Sequence, residues 1–169
     1  MQNSAKDIKL FVSDFDGIFT DGKLTVYSDG RTSKIIDYKD IMAIANIIKA
    51  GIKFAIISGE ISSAIDEVQK KFPMIETFQN ERKKLDVLKK LIEKYGLSPE
   101  NTLYMGDDIN DIECLKYVKY PVTVNNAHNS VKEIEGIYIT ARDSGNGAVR
   151  EVADNILWIV FSDKYIIKY

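Results

Sequence analysis

The sequence predicts an α/β fold: a doubly wound, Rossmann-like, mostly parallel sheet with helices on both faces and a β-hairpin inserted after the first strand. Three observations predict it. Beyond the hairpin, short apolar runs alternate with segments whose apolar residues recur at helical spacing, the pattern of a parallel sheet covered by helices. The segments between them are too short for anything but direct connections. Three of the apolar runs end abruptly in a polar residue, Asp14, Ser58 and Asp107. A parallel sheet would bring all three to one edge, the edge where open α/β sheets bind ligands.

The first run, Ile8 to Ser13, reads as a buried strand. Side chains two apart on a strand share a face, so Asp14 and Asp16 would project together from its carboxyl end, with Gly17 turning the chain. Lys23–Tyr27 and Thr32–Tyr38 flank Ser28-Asp29-Gly30-Arg31, a hairpin signal over about 23–38. Asp40 is expected to cap a helix bearing Ile41, Ile44, Ile47 and Ile48, closed by Gly51. Lys53–Ile57 is a strand running into Ser58-Gly59-Glu60. Ile61, Ile65, Val68 and Phe72 mark a helix stopped by Pro73, and Glu76–Phe78 is a brief strand. Leu85, Leu88, Leu91, Ile92 and Tyr95 stripe a longer helix ended by Gly96. Thr102–Met105 is a strand leading into Gly106-Asp107-Asp108-Ile109-Asn110-Asp111. The remainder reads as a helix from about Asn110 to Val118, a strand at Val122–Val124, a short helix ending near Gly136, a strand at Ile137–Ile139, and a helix from about Ala148.

The 169 residues suit one domain, 1–169. With 45% hydrophobic and 28% charged residues the profile is that of an ordinary soluble protein. A net charge of −2, with no basic block, argues against nucleic acid as a partner. Nothing in the sequence is long and apolar enough to span a membrane, and the polar start lacks the core of a signal peptide. Cys114 is the only cysteine, so no internal disulfide forms and a reducing, cytoplasmic location is expected. The lone His128 rules out chemistry needing several histidines. It lies in a polar loop and reads as surface, or as the rim of a substrate site. Cys114 reads as core, and the stripe Ile156, Leu157, Trp158, Phe161 as helix packing or a subunit contact. Tyr165–Tyr169 is an apolar-rich tail with several possible fates.

Two carboxylates as close as Asp14 and Asp16 repel by about 4 kcal/mol at 4 Å and an effective dielectric of 20. A core bears that cost only if a cation lies between them or one is protonated. A pocket holding Asp14, Asp16, Asp107 and Asp111 has the hard oxygen donors that suit Mg2+. Ser58 and the amides beside Gly59 offer a phosphate site, and one of Lys83 and Lys84 offers a balancing charge. The turn at Gly17 offers an anion nest. Together these parts suit phosphoryl transfer, in which positioning and charge neutralisation supply most of the catalysis. Asp108 reads equally as a cap of the following helix and as a supporting acid, and Asp21 as a turn residue.

Asp-Phe-Asp-Gly with Thr20-Asp21-Gly22, the Ser58 strand end, a downstream lysine and Gly-Asp-Asp-x-x-Asp resemble, in order, the four motifs of the haloacid dehalogenase superfamily. The resemblance runs from about Ile8 to Ile156. It implies Asp14 as nucleophile, Asp16 as general acid/base with its backbone carbonyl on the metal, and Ser58 on the phosphate. It further implies Lys84 pinning nucleophile and phosphate, Asp107 on Mg2+, and Asp108 and Asp111 in support. The gaps from Gly17 to Lys53 and from Ser58 to Lys84 leave no room for a cap domain.

The hairpin, Asp40 and Gly145-Asn146-Gly147-Ala148-Val149-Arg150-Glu151 resemble the capless subfamily of 3-deoxy-manno-octulosonate 8-phosphate and nonulosonate 9-phosphate phosphatases. That implies a small-molecule sugar acid phosphate as substrate, and a homotetramer in which a neighbouring subunit closes the site. Glu60 stands where the octulosonate branch usually carries Arg and is similar to the nine-carbon branch. Ile41 replaces a common glycine, and Ser144-Gly145 a Gly-Gly pair. Two other functions fit less closely: a capless phosphatase acting on a phosphoprotein, and a non-catalytic module associated with a nucleotide-sugar synthetase. The second would normally have lost the nucleophile or the metal carboxylate, and both are present here.

Overall fold

The computed structural model describes residues 5–161, with side chains from 6 to 157. Trp158, Phe161 and the tail Tyr165–Tyr169 therefore lie outside the described side chains. Six parallel strands form the sheet: β1 (Leu10–Ser13), β4 (Lys53–Ile57), β5 (Glu76–Phe78), β6 (Thr102–Met105), β7 (Tyr120–Thr123) and β8 (Tyr138–Ile139). Their spatial order is β5-β4-β1-β6-β7-β8. The chain thus builds outward from β1 on one side, then returns and builds outward on the other. The switch point lies between β1 and β6, with β4 on the opposite flank of β1. Ser13 is level with both Ile56 and Met105, so the residues after all three strands emerge side by side.

The helices are α1 (Tyr38–Lys49), α2 (Ser63–Lys71), α3 (Lys84–Lys94), α4 (Ile112–Tyr117), α5 (Asn129–Lys132) and α6 (Ala148–Phe161). Strands β1, β6 and β7 are buried at every position, as expected of strands covered on both faces. The apolar stripes of α1, α2 and α3 pack onto this sheet through Ile44, Ile47, Ile65, Val68, Leu88 and Leu91. Among the described residues, no helix is long and apolar enough to cross a membrane.

Several boundaries differ from the sequence expectations, each for a physical reason. The hairpin keeps only β2 (Thr25–Val26) and β3 (Thr32–Ser33), a separate antiparallel pair whose side chains are largely exposed. With no core beneath them, the flanking residues gain little from a longer ladder. Ile61, expected on the stripe of α2, precedes the helix and is 74% exposed. β7 starts two residues early and includes Pro121, which a central strand normally excludes. Here β8 pairs only with Val122 and Thr123, so no ladder partner on that side is lost at Pro121.

Asp40 is the clearest correction. The cap of α1 is Asp37, whose Oδ1 accepts the Lys39 amide at 2.8 Å. Asp40 is fully buried and accepts from the amides of Gly147 (3.2 Å) and Arg150 (2.8 Å). It therefore caps α6, whose preceding residue, Gly147, has no side chain with which to do so.

Candidate active site

The four motif regions meet at the carboxyl edge of β1, β4 and β6. The Asp14 amide donates to Met105 O at 2.8 Å, tying the end of β1 to that of β6. Gly17 turns the chain at φ +79°, and a Cβ there would sit 2.1 Å from Asp107 Oδ2. Conformation and space both require glycine, and the close approach lets Asp107 lie against the β1 loop. Thr20 is buried beneath this loop. Its Oγ1 accepts from the amides of Gly17 and Gly22 and donates to Asp16 Oδ1, each at 3.3 Å.

Of the two adjacent lysines, Lys84, the first residue of α3, is the buried one. Its Nζ lies 3.0 Å from Asp14 Oδ1 and 2.8 Å from Asp111 Oδ1, with all three side chains buried. Lys83 occupies the cap position of α3 and is exposed. Asp111 is fully committed. Its Oδ1 also accepts the Tyr104 hydroxyl at 2.8 Å, and its Oδ2 accepts the amides of Asp107 and Asp108 at 3.2 and 3.3 Å. Asp108 is exposed and caps the 3₁₀ turn Ile109–Asp111 through the Ile109 amide at 2.7 Å, forming a reciprocal capping box with Asp111. Its observed role is therefore the cap.

Carboxylate oxygens of Asp14, Asp107 and Asp111 lie within 4.8 Å of one another, close enough to hold a metal ion. Because Asp111 already accepts from an ammonium, a hydroxyl and two amides, the available oxygens belong to Asp14 and Asp107. Asp107 Oδ1 is buried without a hydrogen-bond partner among the described residues. A buried carboxylate oxygen left unpaired is costly, and a cation would relieve it. Burial, reinforced by the charge of Asp111, pushes Asp14 up to about 8 against the pull of Lys84. Burial and the neighbouring charges of Asp111 and Asp108 push Asp107 up to about 7. Burial opposes the charge on Lys84, but Asp111 and Asp14 more than offset it and hold the ammonium above its ordinary value. The buried acids Asp14, Asp107 and Asp111 thus outnumber the charge that Lys84 brings to them.

Ser58 is buried at the end of β4. Its amide donates to Phe78 O at 2.8 Å and its Oγ accepts the Glu60 amide at 3.1 Å, leaving the hydroxyl proton for an incoming anion. Ser58, Gly59 and Glu60 line a cavity of about 260 Å³ together with Asp14, Asp16, Asp107 and Asn110. Asp16, Gly22 and Glu60 also border an adjoining cavity of about 580 Å³, walled by the hairpin and the start of α2.

Asp16 is placed differently from the other carboxylates. Its side chain is not part of the acidic triad. Both its oxygens lie 2.7 Å from Lys34 Nζ, which reaches over from the hairpin. The pair is partly shielded, with side chains 16% and 28% exposed. Any contribution of Asp16 to a metal would fall to its main chain. Lys34 carries no signal in the sequence, because nothing local marks a lysine after a short exposed strand. Tyr104, hidden in an apolar strand, carried no signal either, and Thr20, part of the first motif, had no role assigned to it. Asp21 behaves as a turn residue: its Oδ1 accepts the Lys23 amide at 3.0 Å. His128 is exposed and caps α5 through Nδ1, while its amide donates to Asp107 O at 2.9 Å.

A family model for haloacid dehalogenase-like hydrolases matches residues 60–152. The chain belongs to this family. A haloacid dehalogenase relative from Salmonella typhi, 3-deoxy-D-manno-octulosonate 8-phosphate phosphatase KdsC, is 30% identical over 157 residues, spanning 93% of this chain and 83% of its own. The crystal structure of the corresponding phosphatase from Moraxella catarrhalis, in complex with magnesium, phosphate and KDO, superposes with a TM-score of 0.88 at 32% identity. It covers 94% of this chain and 90% of its own. A cobalt-bound phosphatase of the same kind from Haemophilus influenzae gives 0.87 at 26% identity over 94% and 92% of the two chains. Like this capless haloacid dehalogenase group, the chain carries only a hairpin between β1 and α1 among its described residues.

Proposed function

We propose that the protein is a Mg2+-dependent phosphatase that hydrolyses a phosphate monoester of a 2-keto-3-deoxy sugar acid, an octulosonate 8-phosphate or a nonulosonate 9-phosphate. The observation that carries this reading is the buried Asp14–Lys84–Asp111 array beside the unpartnered Asp107 oxygen. The phosphatase relatives at 30–32% identity supply the substrate class. Asp14, Asp107 and the main chain of Asp16 would hold Mg2+, which when bound offsets the negative charge shared by carboxylate and phosphate.

In the first step an oxygen of Asp14 forms a bond to phosphorus as the bond to the sugar oxygen breaks, and Asp16, having exchanged one of its Lys34 contacts for a proton from solvent, gives that proton to the departing alcohol. In the second step Asp16 takes a proton from water, whose oxygen bonds to phosphorus as the aspartyl-phosphate bond breaks. Phosphate is released and Asp14 is restored. Lys84 draws electron density from phosphate and nucleophile together, and the Ser58 hydroxyl donates to a phosphoryl oxygen. The sugar extends past Asp16 into the 580 Å³ cavity, where Glu60 faces it.

The deciding experiment is phosphate release from octulosonate 8-phosphate, nonulosonate 9-phosphates and a phosphopeptide, with and without Mg2+. Turnover confined to the phosphopeptide, or independent of Mg2+, would overturn the reading. Comparing Glu60→Arg on the two acids tests whether Glu60 selects between them. An unchanged ratio would dismiss that role. Leu24, Val26 and Ile35 leave apolar side chains exposed on the hairpin, which supports the homotetramer. Sedimentation of a monomer at micromolar concentration would count against it.

Two further outcomes are expected. Lys34→Met should lower kcat by about tenfold or more, because Asp16 loses the partner that fixes both its oxygens. The melting temperature should hardly move, since a partly exposed ion pair contributes little to stability. A large fall in melting temperature with kcat unchanged would refute this.

The second concerns pH. Asp14 and Asp107 titrate higher in the folded protein than in the unfolded chain, so the folded state binds more protons from about pH 4 to 8. Their contribution to stability is thus present at low pH and lost as pH rises through 7 and 8. Mg2+ binds the deprotonated carboxylates and must displace those protons at lower pH. The rise in melting temperature produced by Mg2+ should accordingly be larger at pH 8 than at pH 6. Equal rises would contradict the assigned ligands.

A further inference from the structure

Tyr104 lies in the middle of β6, paired with Val12 of β1 on one side and Pro121 of β7 on the other, and is among the largest fully buried side chains. Phenylalanine would fill nearly the same volume without a hydroxyl to satisfy, so packing alone does not account for a tyrosine. The hydroxyl donates to Asp111 Oδ1 at 2.8 Å, the oxygen that also accepts Lys84 Nζ at 2.8 Å. Lys84 in turn shares its ammonium with Asp14 Oδ1 at 3.0 Å, the slightly longer of its two contacts. The four groups form one buried chain: Tyr104, Asp111, Lys84, Asp14.

We infer that Tyr104 is a positioning residue of the reaction, acting through Asp111 to set how Lys84 divides its charge between Asp111 and the nucleophile. Asp14 and Asp111 compete for a single ammonium. A hydroxyl donated to Asp111 satisfies part of its acceptor capacity and weakens its hold on Lys84. Without that hydroxyl, Asp111 becomes the stronger competitor and draws the ammonium from Asp14, on whose side the phosphoryl group binds. The hydroxyl also fixes the Asp111 carboxylate so that Oδ2 meets the amides of Asp107 and Asp108, which places Asp107. Gly106 leaves no slack in this arrangement, since a Cβ there would stand 2.4 Å from Asp111 Cγ. Burial and the nearby charge of Asp111 raise the phenol well above its ordinary value, so it acts as a donor throughout the working range of pH.

The inference rests on the phosphatase reading, and the test separates the two. Mg2+-dependent phosphate release from p-nitrophenyl phosphate and from the preferred sugar acid phosphate is measured for the wild type and Tyr104→Phe. Melting temperatures are recorded alongside. The expected result is a fall in kcat of about tenfold, with KM within about twofold and the melting temperature within a few degrees. In an Asp111→Asn background the same substitution should cost much less, because the path it acts through is already broken. Unchanged kcat in Tyr104→Phe overturns the inference. So does an equal fold loss in both backgrounds, or a loss that tracks unfolding and disappears on cooling. A wild type without Mg2+-dependent release overturns the phosphatase reading, and this inference with it.

Discussion

Replacing Asp14 with Asn is expected to lower phosphate release by roughly 10⁴-fold or more while leaving a folded protein. The carboxylate oxygen that would attack phosphorus is lost, and no other acid takes its place. Asp107 faces the β1 loop, both oxygens of Asp111 are occupied, and Asp16 is paired with Lys34. The amide keeps the side-chain volume, and removing a carboxylate from an over-acidic pocket relieves repulsion. The metal-free Asn variant should therefore melt no lower than the wild type. Radiolabelled phosphate from substrate should be retained on acid-quenched wild type and not on the variant. A variant with near-normal turnover would sink covalent catalysis by Asp14.

Lys84→Met carries the second large effect, and here activity and stability fall together. A buried ammonium is removed from between two buried carboxylates. Breaking a buried ion pair from one side typically costs about 3–5 kcal/mol. The upper end is not expected, because Asp14 already titrates near 8 and can stay protonated at neutral pH. Turnover should fall by about 10³-fold, since phosphate and nucleophile would meet without their shared cation. Adding Asp111→Asn to Lys84→Met should restore much of the lost melting temperature and none of the activity. If the double variant melts as low as the single, unpaired charge is not the origin of the instability.

The parts of the site that were legible in the sequence are those that a strand end fixes. An apolar run that stops at an acid or a hydroxyl gives both an address and a direction, so the sequence alone places Asp14, Ser58 and Asp107 at one edge. Lys84 was harder, because adjacent residues at a helix start point about 100° apart and only packing shows which one is buried. Lys34 and Tyr104 could not be found this way. One depends on where a hairpin folds back, and the other on a hydroxyl hidden in an otherwise apolar strand. Asp40 was visible but misassigned. An acid ahead of an apolar stripe suggests a cap, and it is one, for a helix more than a hundred residues downstream.

That long-range cap bears on the order in which the protein assembles. α6 has only Gly147 ahead of it and cannot close its own first turn until α1 supplies Asp40. The loop leading into α6 also braces the β1 loop: the Gly145 amide donates to Ile18 O at 2.9 Å, and a Cβ at Gly145 would lie 2.6 Å from the Asp21 amide nitrogen. Such contacts of high sequence separation form late, after the loop-closure entropy of the intervening chain has been offset. During synthesis, β1 and its acids would emerge long before the segment that braces them. The nascent chain would thus carry Asp14, the proposed nucleophile, in an unfinished loop, and the proposed hydrolytic competence would arrive only when the last described helix docks.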